Sequence, residues 1–127
     1  MTTIREIMNP KLLYIHDGDR LSLARKQILG FGVTAIPVLD ETHRPVGIVS
    51  LRDLERDLDH VEPSSPVVTV RADDPIEYGA RTLAESSLHH LVVVDDKGIA
   101  VGMVSSIDFL RAMLDMPPEH PVTFDSF

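Results

Sequence analysis

Apolar residues along this chain keep changing from a helical rhythm to continuous short runs and back. In the second half, Val67-Val68-Thr69-Val70 is a short β-favouring run. Ile76, Ala80, Leu83 and Ser87 then recur at the spacing of one helix face. Asp74-Pro75-Ile76-Glu77 reads as the start of that helix, with Asp as cap, Pro at the first helical position and Glu closing a capping box. Leu91-Val92-Val93-Val94, the turn Asp95-Asp96-Lys97-Gly98 and Val101-Gly102-Met103-Val104 come next, and they predict a β-hairpin buried on both faces. From Ser106 a helix is expected, with Phe109, Leu110, Met113 and Leu114 on its apolar side. The first half repeats this order: strand Leu12 to Ile15, helix Leu21 to Phe31, strands Ile36 to Leu39 and Pro45 to Val49, and helix Leu51 to Leu58. Gly30 and Gly32 are expected to end its first helix.

The two halves coincide when the sequence is shifted by 55 positions, without a gap, from about Leu12–Leu58 onto Val67–Met113. Gly47-Ile48-Val49-Ser50-Leu51-Arg52-Asp53 falls on Gly102-Met103-Val104-Ser105-Ser106-Ile107-Asp108, and apolar pairs such as Ile15/Val70, Ile28/Leu83 and Leu54/Phe109 keep their character. Conserved register with divergent residues is the signature of a duplicated fold. The expected class is α+β: two β-α-β-β-α repeats, residues 1–60 and 61–127, joined by the Pro-bearing linker Asp59–Pro66. After Met116, Pro117, Pro118 and Pro121 stop the last helix and leave a short tail. Units of this size bury only about 60% of their unfolded surface, so the pair is expected to fold as one unit.

Composition narrows the function classes. With 43% apolar and 25% charged residues the chain suits a folded globular protein. No apolar run nears the roughly 20 residues of a membrane span and the polar start does not read as a signal peptide, so no membrane partner and a cytoplasmic location are expected. The absence of cysteine excludes disulfides, thiolate metal sites and a Cys nucleophile. A net charge of −8 argues against nucleic acid as a partner, because affinity for it comes largely from Lys and Arg neutralising phosphates. It leaves room for a small anionic ligand at a local site.

The chemistry concentrates in Gly-x-x-Ser-x-x-Asp, which stands at a strand end and helix start in both halves. Two readings fit. Ser50 and Ser105 occupy N-cap positions, with Asp53 and Asp108 three residues on, where a carboxylate meets the positive end of a helix. Alternatively, each Asp accepts hydrogen bonds from the vicinal hydroxyls of a ribose, while the Ser hydroxyl and helix-start N–H groups face an anion.

These segments, together with Ile7-Met8-Asn9-Pro10, Ile36-Pro37-Val38-Leu39-Asp40 and Leu91-Val92-Val93-Val94-Asp95, resemble the tandem cystathionine-β-synthase (CBS) domain family, the Bateman module. The resemblance implies two repeats packed through their sheets with pseudo-twofold symmetry and clefts between them for AMP, ADP, ATP or S-adenosylmethionine. No required cofactor is expected, and no metal, because the adjacent His89 and His90 would point to opposite faces of an extended stretch. On the matching positions, Asp53 and Asp108 would bind ribose, Ser50 and Ser105 would lie beside ribose or phosphate, and Leu13 and Val68 would wall the adenine or simply belong to the core. His89-His90 resembles the His-Arg pair that precedes the same strand in the regulatory gamma subunit of AMP-activated protein kinase and contacts phosphate there. The first repeat has Thr34-Ala35 instead, and Arg52 beside Asp53 could supply the cation, so the two clefts are expected to be unequal.

The resulting expectation is a non-catalytic sensor of an adenosine compound that signals through an unknown effector protein. The alternative is a structural homodimer or protein-interaction module with vestigial clefts, its interface drawn from Leu54, Leu58, Leu110, Met113 and Met116. An enzyme is disfavoured: no Gly-x-Ser-x-Gly elbow, His-Glu-x-x-His motif or phosphate loop is present.

Overall fold

The computed structural model describes residues 2–55 and 67–120. A short helix α1 (Ile4–Ile7) leads into β1 (Ile15–His16), α2 (Leu21–Phe31), β2 (Ala35–Leu39), β3 (Pro45–Ser50) and a 3₁₀ turn at Leu51–Glu55. The order then recurs as β4 (Thr69–Arg71), α3 (Ile76–Ser86), β5 (His90–Val94), β6 (Ala100–Ser105) and α4 (Ser106–Met113). Among the described residues two three-stranded sheets form, β1-β2-β3 and β4-β5-β6, each with a parallel first pair and an antiparallel second pair. The fold is α+β. Residues 56–58 of the expected helix, the linker 59–66 with the expected boundary at 60/61, and Pro121 lie outside the described residues.

Duplication reaches down to single hydrogen bonds. Asp40 Oδ1 accepts the N–H groups of Thr42 (2.8 Å) and Arg44 (3.0 Å), and Asp95 Oδ1 accepts those of Lys97 (2.8 Å) and Ile99 (3.0 Å). Each carboxylate thus organises a hairpin turn whose tight position is left-handed, at His43 (φ 65°) and Gly98 (φ 82°). Both sheets carry a register shift at the same place, Val38/Leu39 and Val93/Val94.

Three expectations need correction. Asp74 does not cap α3: Pro75 is the N-cap residue, and the Asp74 carboxylate instead accepts the Arg71 N–H at 2.8 Å, as Asp19 does for His16 at 2.7 Å. Asp74 stands one residue before the N-cap, and its carboxylate closes the turn behind it. Gly30 lies inside α2, which ends at Gly32 in the left-handed region; Ser87 holds that position after α3. The hairpins are not buried on both faces throughout. Residues of β2 and Leu91–Val94 of β5 are buried without interruption, whereas β3 and β6 alternate, because each is the outer strand of its sheet.

Each unit has its own core. In one, residues 11–55 and Val67 gather Ile15, Leu21, Ala24, Ile28, Ile36, Val38 and Val49. In the other, Val70, Leu83, Leu91, Val93, Val104 and Phe109 are joined by Ile4, Ile7 and Met8 from residues 2–10. The early segment is tied there by Ile4 N–H to Asp74 O (2.9 Å) and by reciprocal bonds between Asn9 and Met103 (2.8 and 3.1 Å). Among the described residues, no helix is long and apolar enough to cross a membrane.

The added α1 explains a glycine inside a helix. A Cβ on Gly79 would stand 2.6 Å from Phe109 Cζ and 2.7 Å from Ile4 Cδ1. The matching position in the other unit is Ala24, which is 0% exposed and belongs to a core that packs Leu54 in place of Phe109. Gly79→Ala should gain about 1 kcal/mol of helix propensity yet lose about 1–3 kcal/mol to overpacking, since both neighbours are themselves buried. The expected result is a lower urea midpoint at unchanged m-value. Gly30→Ala, with nothing within 4 Å, should instead raise it.

Candidate functional site

In the second repeat, β6 delivers its last residue, Ser105, directly into the N-cap of α4. Asp108 Oδ2 accepts the Ser105 N–H at 2.8 Å and the Ser105 hydroxyl at 3.1 Å, and the Asp108 N–H reaches back to Ser105 Oγ at 3.4 Å. The capping reading of the motif is therefore physically present. The first repeat reproduces it at the end of β3, with Asp53 Oδ2 accepting from the Ser50 N–H (2.8 Å) and hydroxyl (3.1 Å). There a 3₁₀ turn replaces the α-helix, and Arg25 donates to the Leu54 carbonyl at 3.0 Å.

Capping uses one carboxylate oxygen. Asp108 is 7% exposed, and among the described residues it is the one buried side chain that is polar or charged. Its Oδ1 stands 3.8 Å from Nδ1 of His120, a residue that sequence reasoning passed over. Pro117 and Pro118 signalled that the helix ends, but nothing in the residue pattern told which side chain would return to it.

Strand pairing brings the other candidates to the same corners. His90 is the register partner of Ser105, and Ser106 donates its N–H to the His89 carbonyl at 2.9 Å. Ala35 pairs with Ser50 in the same way, and Leu51 donates to the Thr34 carbonyl at 2.8 Å. His89 is exposed and His90 half-buried; Thr34 and Arg52 are exposed, and Asp53 is half-buried. Val68 and Leu13 are half-buried and pack against the cores of their own units. A groove of about 460 Å³ beside α3 and α4 is lined by Ile76, Ala80, Phe109 and Met113 among others, and it takes in none of the predicted ligand residues.

Burial pushes the His90 imidazole below its ordinary value of 6.5; neighbouring His89 acts in the same direction and the Asp108 carboxylate opposes both. The fold thus favours neutral His90. Above 6.5 folded and unfolded chains both leave it uncharged and its contribution is intact. As pH falls from there through the lower, folded value, the unfolded chain takes up a proton first and stability is lost. Denaturant unfolding between pH 7.5 and 5 should show this loss, and His90→Gln should flatten it.

Comparison with known proteins assigns the architecture. A family model, CBS domain, matches the chain twice, over residues 4–60 and 56–115. Homoserine O-acetyltransferase of Methanohalophilus mahii is 30% identical over 118 residues, which is 88% of this chain and 24% of that protein. L-aspartate semialdehyde sulfurtransferase of Methanocaldococcus jannaschii is 24% identical over 87% of this chain and 23% of its own length. The chain therefore spans about a quarter of these curated relatives. Among solved structures, the CBS domain pair of protein MJ0100 in complex with 5′-methylthioadenosine and S-adenosyl-L-methionine has a TM-score of 0.82 at 23% identity, covering 91% of this chain and 98% of that one. CBSX2 in complex with AMP has a TM-score of 0.75 at 27% identity, with the same shares covered. With the family model matched along nearly its whole length, the chain belongs to the CBS domain family and carries that domain twice.

Proposed function

We propose that this chain is a non-catalytic regulatory module that binds an adenosine-containing ligand (AMP, ADP, ATP or S-adenosylmethionine) at its strand-to-helix corners and signals through a partner chain. The observation that carries this reading is the division of labour on Asp108. Its Oδ2 closes the helix cap, while Oδ1 lies outside that cap. A carboxylate offers about four acceptor positions, so capping and docking a ribose hydroxyl are compatible. The Ser105 hydroxyl donates to Asp108 and its Oγ accepts the Asp108 N–H at 3.4 Å, which leaves one lone pair for a second ribose hydroxyl. His89 and His90, register neighbours of that corner, suit the phosphate side, as Thr34 and Arg52 do for the first repeat. Leu13 and Val68 offer aliphatic walls for adenine. The AMP held by CBSX2, 27% identical, supports the ligand class.

A ligand present at 100 times its dissociation constant should add about 2.7 kcal/mol to stability, which for a chain of this size is a melting shift of several degrees. Asp108→Ala should cost about 1 kcal/mol as a lost cap while the fold persists, and should abolish the shift for at least one binding site in calorimetry. A variant that is destabilised but binds every adenosine compound with unchanged affinity would leave capping as the whole account.

A second reading, a homodimeric assembly module, is favoured by the outer face of α4 and the residues after it. Leu110, Met113, Leu114 and Met116 are 49%, 71%, 62% and 43% exposed. Leu54 is half-buried, and Leu58 lies outside the described residues. Light scattering should then give a dimer mass that Met113→Glu reduces to that of the monomer; a monomer at every concentration would reject this reading.

A further inference from the structure

The chain does not leave α4 for solvent. Asp115 adopts a left-handed conformation (φ 56°), and Met116 donates back to the Arg111 carbonyl at 2.8 Å. Arg111 then pins the segment beyond Met116: its Nε donates to the Pro117 carbonyl at 2.9 Å, and its guanidinium stands 3.3 Å from the Glu119 carboxylate. Two prolines in this stretch limit the conformations that the ordering must restrict. The next residue, His120, is carried back over the start of α4. Its Nε2 lies 3.0 Å from the Met8 carbonyl, which can only accept, so Nε2 carries the proton. Its Nδ1 faces Asp108 Oδ1. The side chain is 18% exposed, so the ring is seated.

We propose that residues 117–120 form a strap that occupies the ligand-facing oxygen of Asp108, so that a ligand entering this corner must first displace His120. This inference rests on the assignment of Asp108 as a ribose-binding residue. The geometry suits a reversible latch. At 3.8 Å the contact to Asp108 is too long for a hydrogen bond, and a neutral ring protonated on Nε2 turns an Nδ1 lone pair toward the carboxylate, so opening gives up little there. Asp108 itself stays locked in its cap whether the strap is closed or open, because that cap uses the other oxygen. A site whose competent state is populated only in part binds with an affinity reduced by that fraction. The strap would therefore set the ligand concentration at which this corner fills.

The test is calorimetric titration of the full chain with AMP as the probe, using wild type, His120→Ala, Arg111→Gln and Asp108→Ala. His120→Ala and Arg111→Gln should each bind about 3- to 10-fold more tightly than wild type, and Asp108→Ala should lose the site. If His120→Ala binds as wild type does, or more weakly, while Asp108→Ala loses binding, the strap is wrong and the site assignment stands; weaker binding would make His120 a ligand contact. If AMP, ADP, ATP and S-adenosylmethionine, titrated in turn, bind none of the four proteins, the site assignment fails and takes the strap with it.

Discussion

Each hairpin in this chain ends in a serine whose N–H and hydroxyl both close on one oxygen of the aspartate three residues later. That clamp sets the direction in which the backbone leaves the sheet, and so decides where the next side chain goes. Phe109, beside Asp108, is 4% exposed in its core, and Leu54, beside Asp53, packs against the other. Capping and core packing are thus one event. An isolated buried carboxylate would cost several kcal/mol, and the two donors from Ser105 offset much of that cost for Asp108.

Much of this was legible in the residues because it stems from repetition. The 55-residue register located both sheets, three of the four long helical segments and both corners, since apolar periodicity and Gly/Asp turn chemistry are local properties. Misreadings arose where one side chain had two partners within reach. Asp74 sits before a proline and a helical run, the pattern of a cap, but the N–H of Arg71 lies behind it and wins. The strands of each hairpin have similar apolar content, yet only the central ones are enclosed, because that depends on sheet order rather than on composition. Contacts between residues far apart in sequence were invisible altogether. Neither Met8 nor His120 bears any local sign that they meet.

The two repeats also show how duplication relaxes. The position of Ala24 in one is Gly79 in the other because a phenylalanine and an extra isoleucine converge there. The position of Ala35 in one is the half-buried His90 in the other, directly across the strand pair from the serine of the corner. The 3₁₀ turn after β3 contrasts with the two-turn α4, which is followed by a returning segment within its own unit. The architecture is symmetric and the chemistry is not. Two corners built this way are free to diverge one at a time.

Residues 2–10 complete a core whose remaining members are encoded after residue 67. During synthesis Ile4, Ile7 and Met8 are made early and must wait, apolar and unpaired, while the whole intervening unit is translated. The antiparallel bridge between Asn9 and Met103 closes a loop spanning most of the chain, which is the kind of long-range pairing that slows folding. The second repeat therefore cannot reach its native packing from its own contiguous stretch of chain. Excising it as an autonomous fragment would leave a hole where the early segment belongs.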